Sequence, residues 1–252
     1  MKRSVNSFLL SKLLWVIPVI ISAAEYKGVQ PLSDVQHNII LQLSGYMYQE
    51  PSVMRKQGIE PFIGVGFYTS LNQNYGGFSL NSLLQYGQTK YEGSGATTHD
   101  ETVILTAELK HFLKYKSFKI LYGVGYRRLH DYWGNKVTST GKYTYDRRSD
   151  YLYPLAGIHI ETDHNRAYRF VYKHLMQGLQ KSYLGSIEGQ KNVNLPQNSG
   201  FGFETEYFFN NNFSTFLDFW NINKSSISTR HGVFTEPYNY TISAGIRLSL
   251  EK

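Results

Sequence analysis

The segment TISAGIRLSL at residues 241–250 has the clearest pattern in the chain. Its apolar residues stand at every second position, from Ile242 to Leu250, and the positions between them are polar or glycine. This period of two predicts a β-strand with one apolar face and one polar face. Arg247 stands on the polar face.

The same alternation recurs nine more times along the chain, in segments of about ten residues between residues 39 and 220. Each segment alone is a weak signal, so the prediction rests on the repetition. Ten is an even number, as in single-chain bacterial barrels, and about ten residues let a tilted strand cross a bilayer. The sequence therefore predicts an all-β fold, a ten-stranded antiparallel up-and-down transmembrane β-barrel.

The connections between these strands alternate in length. Those after even-numbered strands are mostly short, such as residues 114–117 and 210–212. Those after odd-numbered strands are longer and polar, such as residues 50–58, 90–100 and 131–149. Short periplasmic turns and long external loops are typical of outer-membrane barrels. We therefore expect the bacterial cell outer membrane as the location, with a secreted soluble β-protein as the alternative.

Residues 1–24 have the layout of a secretory signal peptide. Basic residues precede an apolar run at residues 13–21, and small residues follow it at the expected cleavage position. The run is shorter than the roughly 20 residues that span a bilayer, and an uncleaved anchor is the alternative. Residues 25–36 are then predicted to be a periplasmic N-terminal segment, and residues 37–252 to form the barrel.

Composition excludes several classes of protein. The absence of cysteine excludes disulfide scaffolds and thiolate metal sites. The 21 tyrosines, 15 phenylalanines and 22 glycines suit strands better than helices. The net charge of +7 falls to +4 without residues 1–24, which hold three bases and no acid. Because no nucleic-acid-binding motif accompanies the remaining charge, no nucleic-acid partner is predicted.

If the apolar faces meet lipid, the opposite faces line the lumen of the barrel. This parity, meaning that alternate positions of a strand face opposite sides of the wall, predicts an internal polar network with nearly balanced charge. It also puts Glu50 near the external rim. Buried charges are costly unless they are paired. Ten strands also leave a tight interior, which favours a plugged barrel over a wide pore. The predicted lumen residues are Glu108, Lys110, Arg127, His159, Glu161, Arg169, Lys173, Glu204, Glu206, Asp218 and Arg247.

Two segments resemble those of small, porin-like outer-membrane β-barrels of Gram-negative bacteria. One is YMYQEPSVM at residues 46–54, and the other is EPYNYT at residues 236–241, which leads into AGIRL at residues 244–248. The resemblance is one of type and covers most of residues 36–250. It implies the barrel fold, with outer-membrane lipid, lipopolysaccharide and the barrel assembly machinery as partners. The chain departs from the pattern because its last residues lack the usual terminal aromatic side chain.

Three functions remain open for such a barrel: a structural or surface-interaction role, a lipid-modifying hydrolase of the lipid A deacylase or phospholipase type, and a narrow channel. A hydrolase needs a serine that is activated by a histidine. No histidine stands two residues before a serine, the spacing in the eight-stranded lipid A deacylase barrels. His159 shares its strand face with Glu161, but a third metal ligand would have to come from another strand. No metal and no cofactor are predicted.

Overall fold

The computed structural model describes residues 34–73, 75–93, 96–134, 136–141, 143–162, 165–187, 189–229 and 232–251. The predicted signal peptide lies outside these residues. Within them, no helix is long and apolar enough to cross a membrane. One 3-10 helix (Leu184–Ser186) accompanies the strand segments. These segments are β1 (Asp34–Glu50), β2 (Met54–Gly58), β3 (Phe62–Gln73), β4 (Gly76–Gly93), β5 (Ala96–Tyr115), β6 (Phe118–Tyr132), β7 (Arg147–Glu161), β8 (Ala167–His174), β9 (Gln177–Ser182), β10 (Val193–Pro196), β11 (Gly200–Phe208), β12 (Phe213–Ile222), β13 (Ser225–Thr229), β14 (Gly232–Glu236) and β15 (Asn239–Glu251).

The segments form ten strand paths in a closed antiparallel barrel. Five of the paths contain two successive segments each, namely β2–β3, β8–β9, β10–β11, β12–β13 and β14–β15. The order around the ring is β1, β3, β4, β5, β6, β7, β8, β11, β12 and β15. β15 pairs with β1 from Leu250 opposite Ile39 to Tyr240 opposite Gln49, which closes the ring. The predicted ten-stranded barrel is confirmed.

An apolar belt surrounds the outer wall. The predicted parity holds along β3, where Ile63 and Phe67 are 60% and 62% exposed while Phe62 is fully buried. On β6 the outward apolar side chains run from Phe118 to Tyr126. This span of about nine residues is what a tilted strand needs to cross the hydrocarbon core. The outside of the barrel is therefore built to face lipid.

The two ends of the barrel differ. The turn end holds the start of β1 and short connections, such as residues 116–117 between β5 and β6. At the loop end the wall continues beyond the belt. Residues 50–58 and 90–100 were predicted as loops, but most of them pair as β-strand in β1, β2, β4 and β5. That prediction was wrong because outward positions above the belt are polar, so the apolar alternation stops while the strand pairing continues.

Aromatic side chains fill the interior, and glycines on neighbouring strands make room for them. Gly125 is the cross-strand partner of Tyr153, and Gly202 is the partner of Trp220. A Cβ atom on Gly125 would lie 2.3 Å from the Tyr153 ring, and one on Gly202 would lie 2.8 Å from the Trp220 ring. The two aromatic rings pack edge to face, with centroids 4.9 Å apart. The barrel interior is thus a packed core.

We expect Gly125→Ala to lower the free energy of unfolding by about 1–3 kcal/mol, the usual cost of overpacking. The added methyl group would displace Tyr153, whose hydroxyl donates to Glu108 at 2.9 Å. Urea-induced unfolding in detergent micelles measures the change. Gly45→Ala is the control, because the nearest atom to its Cβ would be 3.9 Å away. Equal stability of the two variants would contradict this packing of Tyr153 on Gly125.

Candidate functional site

Eight charged side chains meet inside the barrel at the level of the belt, and we call them the mid-barrel network. Lys173 is at its centre, with Nζ 3.0 Å from Oε2 of Glu204 and 3.0 Å from Oδ1 of Asp218. Glu108 lies 3.2 Å from the same Nζ and 2.6 Å from Nζ of Lys110. The members of the network are Glu108, Lys110, Arg169, Lys173, Glu204, Glu206, Asp218 and Arg247.

Two arginines bind the same pair of carboxylates in this network. Arg247 donates from Nη1 to Oε1 of Glu204 at 3.1 Å and to Oε2 of Glu206 at 2.8 Å. Arg169 donates from Nη2 to both carboxylates as well. Its four acids and four bases make the network electrically balanced. Balance and pairing are what ionised groups need in a water-poor interior.

The other three predicted lumen residues lie apart from this network. Arg127 faces inward, but its guanidinium carbon lies 5.5 Å from the centre of the Trp220 ring, a cation–π distance. His159 and Glu161 lie toward the turn end, 3.9 Å from each other. Glu161 pairs there with Lys119 at 2.7 Å. Parity therefore predicts that these side chains face inward, but it does not predict which of them contact each other.

A second charged group lies at the loop end, above the belt, and we call it the rim cluster. Lys56 Nζ lies 2.6 Å from Oδ2 of Asp100 and also contacts Asp131. Arg147 lies 2.7 Å from Oε1 of Glu50 and 3.4 Å from Oδ2 of Asp131. The members of the rim cluster are Glu50, Lys56, Asp100, Asp131, Arg147 and Glu236.

Of the rim cluster, the sequence pattern predicts only Glu50 near the rim. Lys56, Asp100 and Asp131 fell in predicted loops, yet the side chains of all three are 0% exposed. Their inward position could have been predicted by continuing the strand parity beyond the apolar belt. Asp131 has the same parity as Arg127 on β6, so an extended strand puts both side chains inside.

Two side-chain contacts, one in the rim cluster and one below it, cross the whole barrel. β1 and β7 lie five paths apart in the ten-path ring, so the bond from Arg147 to Glu50 joins opposite walls. β6 and β15 are also five paths apart, and Arg127 donates to Oγ1 of Thr241 at 3.4 Å. Side chains from opposite walls therefore meet both in the rim cluster and below it.

Comparisons with known proteins add the following. No protein-family model matches this chain, and no curated protein matches it. Among solved structures, the outer membrane protease OmpT from Escherichia coli is similar with 8% identity and a TM-score of 0.49, covering 89% of this chain and 99% of that chain. The translocator domain of autotransporter NalP from Neisseria meningitidis has 9% identity and a TM-score of 0.41, with 95% of each chain covered. The COG4313 outer membrane channel from Pseudomonas putida F1 has 10% identity and a TM-score of 0.38, covering 90% of this chain and 98% of that chain.

The location of the protein follows from the closed strand pairing and the apolar outer face of its barrel wall. A closed barrel satisfies every strand pairing within the protein, and its apolar outside is suited to lipid. The protein is a bacterial outer-membrane β-barrel.

The rim cluster of this outer-membrane barrel has more acids than bases, four against two. Burial raises the pKa of Glu236 to about 7; the nearby Glu50 also raises it, while Arg147 lowers it. Gln180 donates its side-chain amide to Glu236. Burial also raises the pKa of Asp100. The cluster therefore retains a proton as the solution approaches neutral pH.

We expect the contribution of Glu236 to the free energy of unfolding to fall as the pH rises from about 4.5 to about 7. The pKa of Glu236 is about 7 in the folded chain against an ordinary 4.5, so between these values the folded chain binds the extra proton. Glu236→Gln should remove this contribution, because an amide does not ionise, so the stability of the variant relative to the wild type should rise with pH over this range. Urea unfolding at a series of pH values measures the slope.

Glu60→Gln is the matched control for this experiment, because Glu60 is exposed in a connection outside the rim cluster. It should keep the wild-type pH dependence. If Glu236→Gln kept the wild-type slope too, the assignment of the proton to Glu236 would be wrong.

The histidine contacts bear on the open possibility of a hydrolase. Among the described residues, the histidine side chains form no hydrogen bond with a serine; His37 bonds to Thr69 at 3.2 Å and His174 to Tyr172 at 3.4 Å. The described part of the chain also holds no group of three or more His, Asp or Glu residues that could bind a metal ion. Two further histidines, at positions 164 and 231, lie outside the described residues.

Proposed function

We propose that this protein is a sealed, non-conducting outer-membrane barrel that serves membrane structure or surface interaction through its loop end. The observation that carries the proposal is the ion pair between Arg147 and Glu50 across the full width of the ring. A ten-stranded barrel is narrow, and a direct bond between its opposite walls obstructs a continuous water path.

The packed layer below the rim supports the same conclusion. Arg127 lies against Trp220, and Trp220 packs on Tyr153, so three neighbouring large side chains occupy the lumen. Tyr153 is 0% exposed and Trp220 is 1% exposed, which means that water does not reach them. These two obstructed levels, one at the rim and one at the belt, support a non-conducting barrel.

Hydrogen bonds that order the loop end support a surface-interaction role. Asp146 accepts hydrogen bonds from the backbone N–H groups of Trp133 at 2.8 Å and Gly134 at 3.1 Å. Lys136 donates from Nζ to the backbone oxygen of His99 at 3.1 Å. These bonds fix the connection between β6 and β7 and hold it against β5. A fixed surface loses less conformational entropy when a partner binds.

We expect the purified barrel to show no stepwise conductance in planar lipid bilayers. The double variant Arg127→Ala/Trp220→Ala should raise the ion leak above that of the wild type, because it removes two large side chains from the lumen. The control is Arg128→Ala/Phe219→Ala, which changes the neighbouring outward positions. Regular conductance steps from the wild-type protein would overturn the proposal in favour of a narrow channel.

A deletion strain tests the alternative of a lipid-modifying hydrolase. We expect the acylation pattern of lipid A and the phospholipid composition to be the same with and without the protein, because the proposed barrel does no chemistry on lipids. Mass spectrometry of the extracted lipids measures both. A species that loses an acyl chain only when the protein is present would favour the hydrolase.

A further inference from the structure

A basic and aromatic surface lies on the outer wall where β6, β7 and β9 pair, just above the apolar belt. His130, Arg148 and Lys181 stand side by side in one cross-strand row. Arg128 and Asp150 stand side by side in the next row toward the belt. Neighbours in such rows have Cβ atoms about 5 Å apart, so their side chains act as one surface. We call these five residues the outer-wall patch.

The outer-wall patch has an excess of positive charge. It holds three permanent bases and one acid, because Asp150 is its only carboxylate. Asp150 lies 2.7 Å from Nε of Arg128 and 2.8 Å from Nε of Arg148, so it holds the two guanidinium groups close together. The next acid is Asp146, directly before β7 and two residues before Arg148, and its carboxylate accepts from the backbone N–H groups of Trp133 and Gly134. Glu101 stands farther along the wall, opposite Tyr132.

Aromatic rings frame the same patch. The His130 ring stacks on Tyr132 with centroids 3.9 Å apart, and Tyr183 lies on a nearly parallel plane at 6.1 Å. Lys181 Nζ lies 4.5 Å from the centre of the Tyr183 ring. Aromatic residues beside basic ones at the edge of an apolar belt occupy the depth of lipid headgroups.

A groove of about 290 Å³ lies lower on the same wall, within the belt. Exposed Ile158, Phe170, Tyr172 and Phe203 line it, together with the small Ala156. β7 carries both Ala156 of the groove and Arg148 of the patch. Because lipid surrounds the belt, the occupant that fits an apolar groove there is an acyl chain.

We propose that the outer-wall patch binds the phosphate groups of a bisphosphorylated glycolipid headgroup, with an acyl chain of the same lipid in the groove below. Arginine matches the geometry of phosphate oxygens, and lysine adds a compact charge. Three permanent bases spread over two adjacent rows suit a headgroup with more than one phosphate better than a headgroup with a single one. The site lies on the outer wall, so it does not depend on a sealed lumen.

The experiment titrates the purified full-length barrel in detergent with bisphosphorylated lipid A and counts bound lipid by native mass spectrometry. Arg148→Gln/Lys181→Gln removes two positive charges and keeps side chains that can donate hydrogen bonds. We expect an apparent Kd about tenfold weaker or more for this variant. The matched control is Arg55→Gln/Lys90→Gln, which removes two bases above the belt on β2 and β4. The control should stay within about twofold of the wild type.

A second variant keeps the test independent of charge. Ala156→Leu fills the groove and should weaken binding of the acylated lipid, whereas Ala244→Leu, at an exposed position of β15, should not. Heat-modifiable gel mobility verifies that every variant is folded.

Three results would overturn the proposal: unchanged affinity in Arg148→Gln/Lys181→Gln, equal wild-type affinity for dephosphorylated lipid A, and equal wild-type affinity for phosphatidylglycerol. Displacement of the lipid by inorganic phosphate at the same concentration would also overturn it, because the source of the phosphate would then not be a lipid.

Discussion

The barrel exists because β15, the last strand segment, pairs with β1, the first. Twelve residue pairs, ending at Asn38 opposite Glu251, close the wall and leave no strand edge in the belt. In hydrocarbon an unpaired backbone group costs several kcal/mol, so a sheet that crosses a bilayer has to close on itself. Closure at ten paths then fixes a narrow interior. Every inward side chain must fit and find its partners inside that volume.

The mid-barrel network and the rim cluster differ in how their buried charges are compensated. The mid-barrel network has equal numbers of acids and bases, and Lys173 contacts three carboxylates at 3.0–3.2 Å. The rim cluster has two more acids than bases, and it lowers its charge by protonation of Glu236, whose pKa is raised to about 7. The excess is tolerated only where the wall has left the belt. Below, where water is scarce, charge balance is enforced by the side chains themselves.

Parity along each strand could be predicted from the sequence because lipid selects an apolar side chain at every second position. The alternation alone therefore assigns Glu108 and Lys173 to the lumen. Which inward residues meet could not be predicted, because strand tilt and register set distances across the barrel. Arg127 shows the limit of parity, since it is inward but lies on Trp220 instead of a carboxylate. Lys56 was missed because lipid no longer constrains the sequence above the belt.

Arg147 and Arg148 show how one continuous strand serves both surfaces of the barrel. They are consecutive on β7, so their side chains point to opposite faces of the wall. Arg147 bonds to Glu50 across the lumen, while Arg148 stands outside between His130 and Lys181. A strand that ended at the top of the belt would supply neither contact. The extension of the wall beyond the membrane therefore both places Arg147 across the lumen and creates the basic outer surface, and the two features depend on the same strand pairing.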